Sequence, residues 1–221
     1  YSGVDNSANQ ATYNIEESFE FANAIYDEYH TFMGWYTDEG FTVEKSSISL
    51  GEYGEITLYA KWDFSGTFIT NATELQNIVY NMSGVYELKN DIDLTNESWT
   101  AIGDSTNEFT GYFNGAGFTV LGKELFGINE GIVCNLRTDK VLMQENKGVI
   151  KYCDCYSIAA LNSGKIEYCT SYGYSVYMST STGGSVGGLV AHNEKTGEIR
   201  YCYAEANIDY TFGGARNIGG I

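Results

Sequence analysis

The chain has 221 residues, 43% of them hydrophobic, so it is long enough to bury a core of its own. Its formal net charge is −17, and so acidic a surface repels nucleic-acid phosphates and anionic lipids. We therefore expect neither nucleic acid nor a membrane surface as a partner, and no apolar run reaches the length of about 18 residues that a membrane span needs. The 19 tyrosines and the absence of proline favour a mainly β protein.

Residues 1–62 form the first predicted module. Two strand-like segments, Thr31–Tyr36 and Ile56–Trp62, flank a polar stretch that contains glycine. The second segment alternates apolar and other residues with a period of two, which predicts one face in a core. Trp35, Tyr36 and Trp62 could bind a ligand or form that core. We expect the core, because aromatic side chains dominate burial in small domains.

Two phrases of this module, "FMGWYTDEGF" and "EITLYAKW", follow one another in a recognisable order. The module resembles the internalin B-repeat family, whose signature pairs an FxGWYTD stretch with a closing TLYAKW strand. This resemblance implies a small β-grasp-like module that serves surface proteins as a spacer or an interaction unit. It also places Tyr1 at the end of the family's first strand, so we expect the chain to be a piece of a longer protein.

Residues 63–84 are predicted to be a linker and a capping helix. Asn71 is a helix N-cap, and Glu74 three residues later completes a capping box. Leu75, Ile78, Val79 and Met82 lie on one helical face, and Gly84 is expected to end the helix.

Residues 85–221 contain a repeated unit. Its copies read "NEGIVCNL", "NKGVIKYC", "NSGKIEYC" and "NEKTGEIRYC". They begin at Asn129, Asn146, Asn162 and Asn193, in steps of 17, 16 and 31 residues. The last step fits either one expanded turn or two turns. Repetition of this kind predicts a solenoid before it predicts any chemistry.

In a parallel β-helix each turn lies about 4.8 Å above the last, so equivalent residues stack into columns. The asparagines should form a hydrogen-bonded ladder, and Gly and Asn should turn the chain at one corner with positive φ. Three inward columns are expected: Val133, Ile150, Ile166 and Ile199; Leu136, Cys153, Cys169 and Cys202; and Cys155, Ser171 and Ala204.

Two longer phrases, "GGLVAHNEKTGEIRYCYAEA" and "LFGINEGIVCNL", resemble the GLUG motif family. "YELKNDIDLTNESWTAIG" and "FTGYFNGAGFTV" resemble the opening turn of the same secreted β-helix proteins. The resemblance implies a right-handed parallel β-helix over residues 85–221. It also implies a bacterial surface or secreted protein, since the family includes adhesins and non-catalytic regions of large proteases.

The main alternative is a β-helix glycosidase or lyase. Asp91 and Asp93 lie on one face of one strand, at a spacing that a glycosidase pair could use. The other interpretation, which we favour, is that both carboxylates accept hydrogen bonds within their own turn. With Asp104 they could also bind calcium, but no DxDxDG loop supports it. We expect no catalytic residue, no metal and no cofactor.

The five cysteines leave at least one thiol unpaired within the chain. Neither a CxxC pair nor adjacent histidines are present, which makes a zinc site improbable. Cys153 and Cys169, one repeat apart, could form a disulfide, but we expect free buried thiols, because the alignment with Leu136 indicates packing.

Tyrosines flank this cysteine column. Tyr152, Tyr168 and Tyr201 each precede a cysteine of the column, and Tyr156 and Tyr172 follow one by three residues. If the cysteines point inward, these rings form an exposed strip that could bind a host or bacterial glycan or a matrix protein. The alternative is a ladder that stabilises the sheet. We expect an extracellular, non-catalytic segment with an adhesive or a spacer role.

Overall fold

The computed structural model describes residues 3–179, 183–205 and 215–219. The chain divides into two compact units, residues 2–65 and residues 66–221. The two units differ in secondary structure, and each is described by itself.

The first unit contains four short strands. They are β1 (Phe19–Glu20), β2 (His30–Tyr36), β3 (Ser47–Ile48) and β4 (Tyr59–Phe64). β1 pairs with β3 and β2 with β4, both antiparallel. The strand predicted at 31–36 is confirmed by β2. The strand predicted at 56–62 starts three residues late, because β2 ends at Tyr36, opposite Tyr59, and residues before Tyr59 have no β2 partner.

An aromatic cluster lies at the centre of the first unit. Trp35 is 7% exposed, and its ring nitrogen donates a hydrogen bond to the carbonyl of Ala22 at 2.9 Å. The ring of Phe32 meets Trp35 and Trp62 edge-on, with centroids 5.2 and 5.4 Å apart. The predicted core role is confirmed for Trp35, while Tyr36 and Trp62 are only half-buried.

The second unit begins with β5 (Thr67–Ile69), α1 (Ala72–Gln76) and a 3₁₀ turn (Asn77–Tyr80). The strands that follow are β6 (Val85–Leu88), β7 (Ile92–Asp93), β8 (Tyr112–Asn114), β9 (Thr119–Leu121), β10 (Phe126–Asn129), β11 (Ile132–Cys134), β12 (Arg137–Asn146), β13 (Val149–Lys151), β14 (Asp154–Asn162), β15 (Lys165–Glu167), β16 (Thr170–Ser171), β17 (Ser175–Ser179), β18 (Gly183–Gly187), β19 (Val190–Asn193), β20 (Glu198–Arg200), β21 (Tyr203–Ala204) and β22 (Ala215–Gly219).

Most of these strands belong to two parallel sheets. One sheet has the order β5-β6-β8-β11-β13-β15-β20, and the other has the order β7-β9-β12-β14-β16-β21. β10 also pairs with β12, and β19 with β14, again in parallel. The chain moves from one sheet to the other and back within each repeat. The expectation of a mainly β protein with parallel sheets is confirmed.

One pass of the chain through both sheets, from one repeat asparagine to the next, is called a layer here. The 31-residue step is a single layer, because Lys165 pairs directly with Glu198 and Ile166 with Ile199. The additional length forms an antiparallel hairpin of β17 and β18, and β22 pairs with β18. Of the two alternatives for this step, the structure has the one expanded turn.

The predicted inward columns are present in register. The first runs through Tyr86, Phe113, Val133, Ile150, Ile166 and Ile199. The second contains Leu136, Cys153 and Cys169, all buried, and the half-buried Cys202. In the third, Cys155 pairs with Ser171 and Ser171 with Ala204. These columns form the core of the second unit.

Helix α1 is capped as predicted but is shorter. Asn71 accepts a hydrogen bond from the backbone of Glu74 at 2.9 Å, whereas the Glu74 carboxylate binds the backbone of Thr70 at 2.7 Å. The helix changes to the 3₁₀ turn at Asn77, so Gly84 does not end it. Of the predicted apolar face, Leu75 and Ile78 are buried and Val79 and Met82 are half-buried, so the prediction is confirmed for the first two.

The prediction that Gly and Asn make the positive-φ corner is wrong for the last three repeats. The left-handed residues at this corner are Asn135 in the first repeat, with φ of 53°, and then Tyr152, Tyr168 and Tyr201, with φ of 57°, 53° and 55°. The repeat glycines have a different role: a Cβ on Gly148 would lie less than 3.0 Å from the carbonyl of Gly131. Glycine is required there because the backbones of adjacent layers approach closely. The left-handed corner lies further along the same repeat.

Candidate functional site

The repeat asparagines form the scaffold beside the predicted site. Asn129 donates to Asn146 at 2.8 Å, Asn146 to Asn162 at 2.8 Å, and Asn162 to Asn193 at 2.7 Å, all through side-chain amides. The first three are fully buried. The predicted ladder is confirmed. Because each amide is both donor and acceptor, the ladder fixes the register of four layers.

Tyr152, Tyr168 and Tyr201 occupy the corner that follows this ladder. Each layer is tied to the next there, since the backbone N–H of Tyr152 donates to the carbonyl of Glu167 and that of Tyr168 to the carbonyl of Arg200, both at 3.1 Å. A left-handed backbone costs a non-glycine residue roughly 1–2 kcal/mol. A ring at this corner therefore needs a compensating contact.

That contact is a stack of the three rings. The centroids of Tyr152 and Tyr168 are 5.1 Å apart with planes at 12°, and those of Tyr168 and Tyr201 are 4.9 Å apart at 14°. Tyr168 is 47% exposed and Tyr201 is 74% exposed. Both faces of the Tyr168 ring are covered by its neighbours, so the stack, called the tyrosine ladder below, presents ring edges and hydroxyls to solvent.

Tyr156 and Tyr172 form a second group rather than extending the ladder. Their rings meet edge-to-face, with centroids 5.9 Å apart and planes at 89°. The Tyr172 hydroxyl donates to the carbonyl of Thr138 at 2.7 Å, although the residue is 50% exposed. The predicted single strip is thus two aromatic groups. Tyr203, 60% exposed and one residue after Cys202, was not predicted, although its place in the repeat could have indicated it.

Burial raises the pKa of Tyr152 and Tyr172 above the ordinary phenol value, and nearby acidic groups raise it further. Both hydroxyls therefore stay protonated at neutral pH. The Tyr172 proton is already donated to the carbonyl of Thr138, so this hydroxyl can only accept a hydrogen bond from a partner.

The two carboxylates considered for catalysis accept hydrogen bonds from backbone N–H groups. Asp91 accepts from the backbone of Thr119 at 2.7 Å and Asp93 from that of Thr95 at 2.8 Å. The hydrogen bonds from Thr95 hold the pKa of Asp93 below its usual value. The predicted hydrogen bond within the turn is confirmed for Asp93, whereas the prediction is wrong for Asp91, because its donor Thr119 is the first residue of β9.

Asp104 is also committed to its own loop, where it accepts from the backbone and the hydroxyl of Thr106, both at 2.7 Å. These bonds lower the pKa of the Asp104 carboxyl. Across the described ranges 3–179, 183–205 and 215–219, no three His, Cys, Asp or Glu side chains are grouped to hold a metal.

All five cysteines carry free thiols. The sulfur of Cys169 accepts the backbone N–H of Cys153 at 3.5 Å, and the sulfur of Cys202 accepts that of Cys169 at 3.4 Å. Burial raises the pKa of the Cys153 thiol well above its ordinary value. The Cys153 thiol is therefore a small, neutral core group, whereas burial of Cys169 is outweighed by hydrogen bonds from Cys153 and Cys202 that lower its pKa.

The sequence profile of the GLUG motif matches residues 182–209. Among solved structures, the chain is similar to the crystal structure of a candidate immunoglobulin A1 protease from Bacteroides ovatus. The two share 17% identity over 63% of this chain and 58% of that chain, with a TM-score of 0.48. This chain thus spans less than two thirds of that protein, and the likeness is too low to support an inference. No curated protein matches the chain.

Within the described part of the chain, no helix combines the length and the apolar character that crossing a membrane requires.

Proposed function

We propose that the chain is a non-catalytic segment of an extracellular bacterial surface or secreted protein, and that it acts as a rigid spacer that displays its surface. In this proposal a β-grasp-like B-repeat module is followed by a right-handed parallel β-helix with an N-terminal capping helix. The observation that carries the proposal is the asparagine ladder, which joins four layers in one register.

Two observations support the β-helix. The chain passes between the same two parallel sheets in successive repeats, and each repeat pairs in parallel with the next. The match of the GLUG profile to residues 182–209 covers the last of these layers. A stack of layers with its polar groups paired internally resists bending, which suits a spacer.

The non-catalytic role is supported by how the acidic side chains are used. A glycosidase needs two carboxyls free to meet substrate and water. Asp91 and Asp93 instead accept backbone hydrogen bonds that hold neighbouring turns. Their replacement should therefore disturb local structure rather than remove an activity.

An adhesive role is the second candidate, and the exposed edge of the tyrosine ladder favours it. Tyr201 is 74% exposed and has a neighbouring ring on one face. A glycan or a matrix protein could meet this face and the row of hydroxyls. The covered faces of Tyr168 weigh against sugar stacking in the middle of the ladder.

The test is an array of glycans and matrix proteins probed with the purified chain and with a variant carrying Ser at Tyr152, Tyr168 and Tyr201. If the chain is only a spacer, no ligand on the array should bind saturably to the chain and fail to bind the triple variant. Saturable binding that disappears in a folded variant would instead establish the adhesive role. Release of reducing ends from any polysaccharide, abolished by Asp91→Asn, would contradict the non-catalytic assignment.

A further inference from the structure

A polar groove lies on the second unit, beside the loop that contains Asp104. It has a volume of about 530 Å³ and is lined by three segments: residues 79–83, residues 105–110 and Glu130. The first segment leaves the 3₁₀ turn, the second precedes β8, and Glu130 follows β10. The groove is therefore formed where three separate connections meet.

The walls of this groove are joined by backbone hydrogen bonds. The N–H of Thr110 donates to the carbonyl of Met82 at 3.0 Å, and that of Glu130 to the carbonyl of Phe109 at 2.7 Å. Phe109 is fully buried in the core. Because the three segments are fixed to one another and to the core, the groove is preformed, and a ligand would lose little free energy in ordering it.

A carboxyl pair lies on one side of the groove. Glu108 and Glu130 both line the groove, and Lys147 forms an ion pair with Glu108. The lysine lowers the pKa of Glu108, and the neighbouring Glu108 raises the pKa of Glu130. The pair can hydrogen-bond hydroxyl groups.

Tyr80 supplies an open aromatic ring at the same groove. It is 85% exposed and, among the described residues, contacts no other ring. Its faces are therefore available, unlike those of Tyr168 in the tyrosine ladder. Asn81 and Asn107 also line the groove.

We propose that this groove binds a neutral saccharide. One sugar ring would stack on Tyr80, and its hydroxyls would hydrogen-bond Glu108, Glu130 and the amides of Asn81 and Asn107. An open aromatic face beside a few fixed polar groups is the arrangement that a pyranose, apolar on its faces and polar at its rim, can match. Anionic sugars are disfavoured by the two glutamates and by the net charge of −17.

The test is saturation-transfer NMR and calorimetry on the whole chain, with maltose, lactose and diacetylchitobiose as neutral probes. A heparin disaccharide and spermidine serve as charged probes. We expect at least one neutral probe to bind saturably, and Tyr80→Ala to weaken it about tenfold, the loss of one aromatic contact. Glu130→Gln, which keeps the shape of the side chain, tests the polar half of the site.

Tyr53→Ala is the matched control, since Tyr53 is 83% exposed but lies in the first unit. It should leave binding unchanged, as should Tyr201→Ala in the tyrosine ladder. The inference is overturned if no neutral probe binds, if only the heparin disaccharide or spermidine binds, or if binding survives Tyr80→Ala. None of these results decides the spacer proposal, because the variants that test the two proposals alter different surfaces.

Discussion

The two units of this chain distribute their cores in different ways. In the described residues of the first unit, the buried side chains are Ala24, His30, Trp35 and Ile48. In the second unit, buried residues recur at the same position of successive layers, as Val133, Ile150 and Ile166 do. The first unit therefore depends on a few side chains, whereas the second divides its burial among repeated contacts.

This difference determines what a single substitution can do. Loss of one aromatic residue should affect the whole first unit, because little else there is buried. In the second unit the most sensitive positions should be those where layers touch through backbone or buried polar groups, since each links two neighbours.

The largest effect is expected from Trp35→Ala. It removes the buried ring and its hydrogen bond to Ala22, and should lower the free energy of unfolding of the first unit by about 3–5 kcal/mol. Amide exchange followed by NMR would show faster exchange in residues 3–65, with Tyr53→Ala as an exposed control. An equal loss of protection from amide exchange in the second unit would contradict the expected difference between the two units.

Gly148→Ala should have the second-largest effect on the free energy of unfolding. The added Cβ would approach the carbonyl of Gly131 to less than 3.0 Å, so the layers must separate, at about 3 kcal/mol of unfolding free energy. Urea denaturation would measure the change. Gly40→Ala in the first unit is the control, because its closest neighbour is the flexible carboxylate of Asp38 at 3.1 Å. Similar losses for the two variants would show that the layers tolerate separation.

Asn146→Ala should lower the free energy of unfolding by about 2 kcal/mol, because it leaves the buried side-chain amides of Asn129 and Asn162 without their partner in the ladder. Asn193→Ala removes the same side chain from an exposed position at the end of the ladder and should cost less. Thermal unfolding of both variants makes the comparison. A larger loss for Asn193 would mean that the ladder does not carry the register.

The sequence predicted much of the second unit because its repeats impose one register. The asparagine ladder and the column from Val133 to Ile199 follow from that register alone. The three tyrosines at the corner were missed, because intrinsic preference assigns positive φ to Gly or Asn, as at Asn135, while ring stacking allows tyrosine there. The single-layer length of the 31-residue step depends on β17 and β18 pairing with each other, which repetition does not predict.

The first unit was less predictable, since it lacks repetition. The strand at 31–36 is marked by alternation and aromatic residues, but the start of β4 depends on where β2 ends. Of the candidate site, the sequence located the five tyrosines but not their division into two groups. That division depends on whether two rings meet face-to-face or edge-to-face, which is a matter of side-chain geometry.

The smallest effect is expected at the tyrosine ladder. Tyr168→Ala removes two ring contacts, which should lower the free energy of unfolding by about 1 kcal/mol. The variant keeps the left-handed backbone. Tyr168→Gly loses the same contacts but relieves the backbone, so it should be the more stable of the two variants by about 1 kcal/mol. Chemical denaturation of the pair decides this. A glycine variant less stable than the alanine variant would contradict the proposed balance between stacking and strain.

The central claim is that the repeats stack as consecutive layers, with Asn162 directly beside Asn193. The most direct test is an NMR measurement of nuclear Overhauser effects across that junction. The account predicts contacts between the amide of Glu198 and the backbone at Gly164 and Lys165, since Glu198 donates to Gly164 at 2.8 Å. If Lys165 instead contacts residues 175–187, an additional layer separates the two asparagines and the account is contradicted.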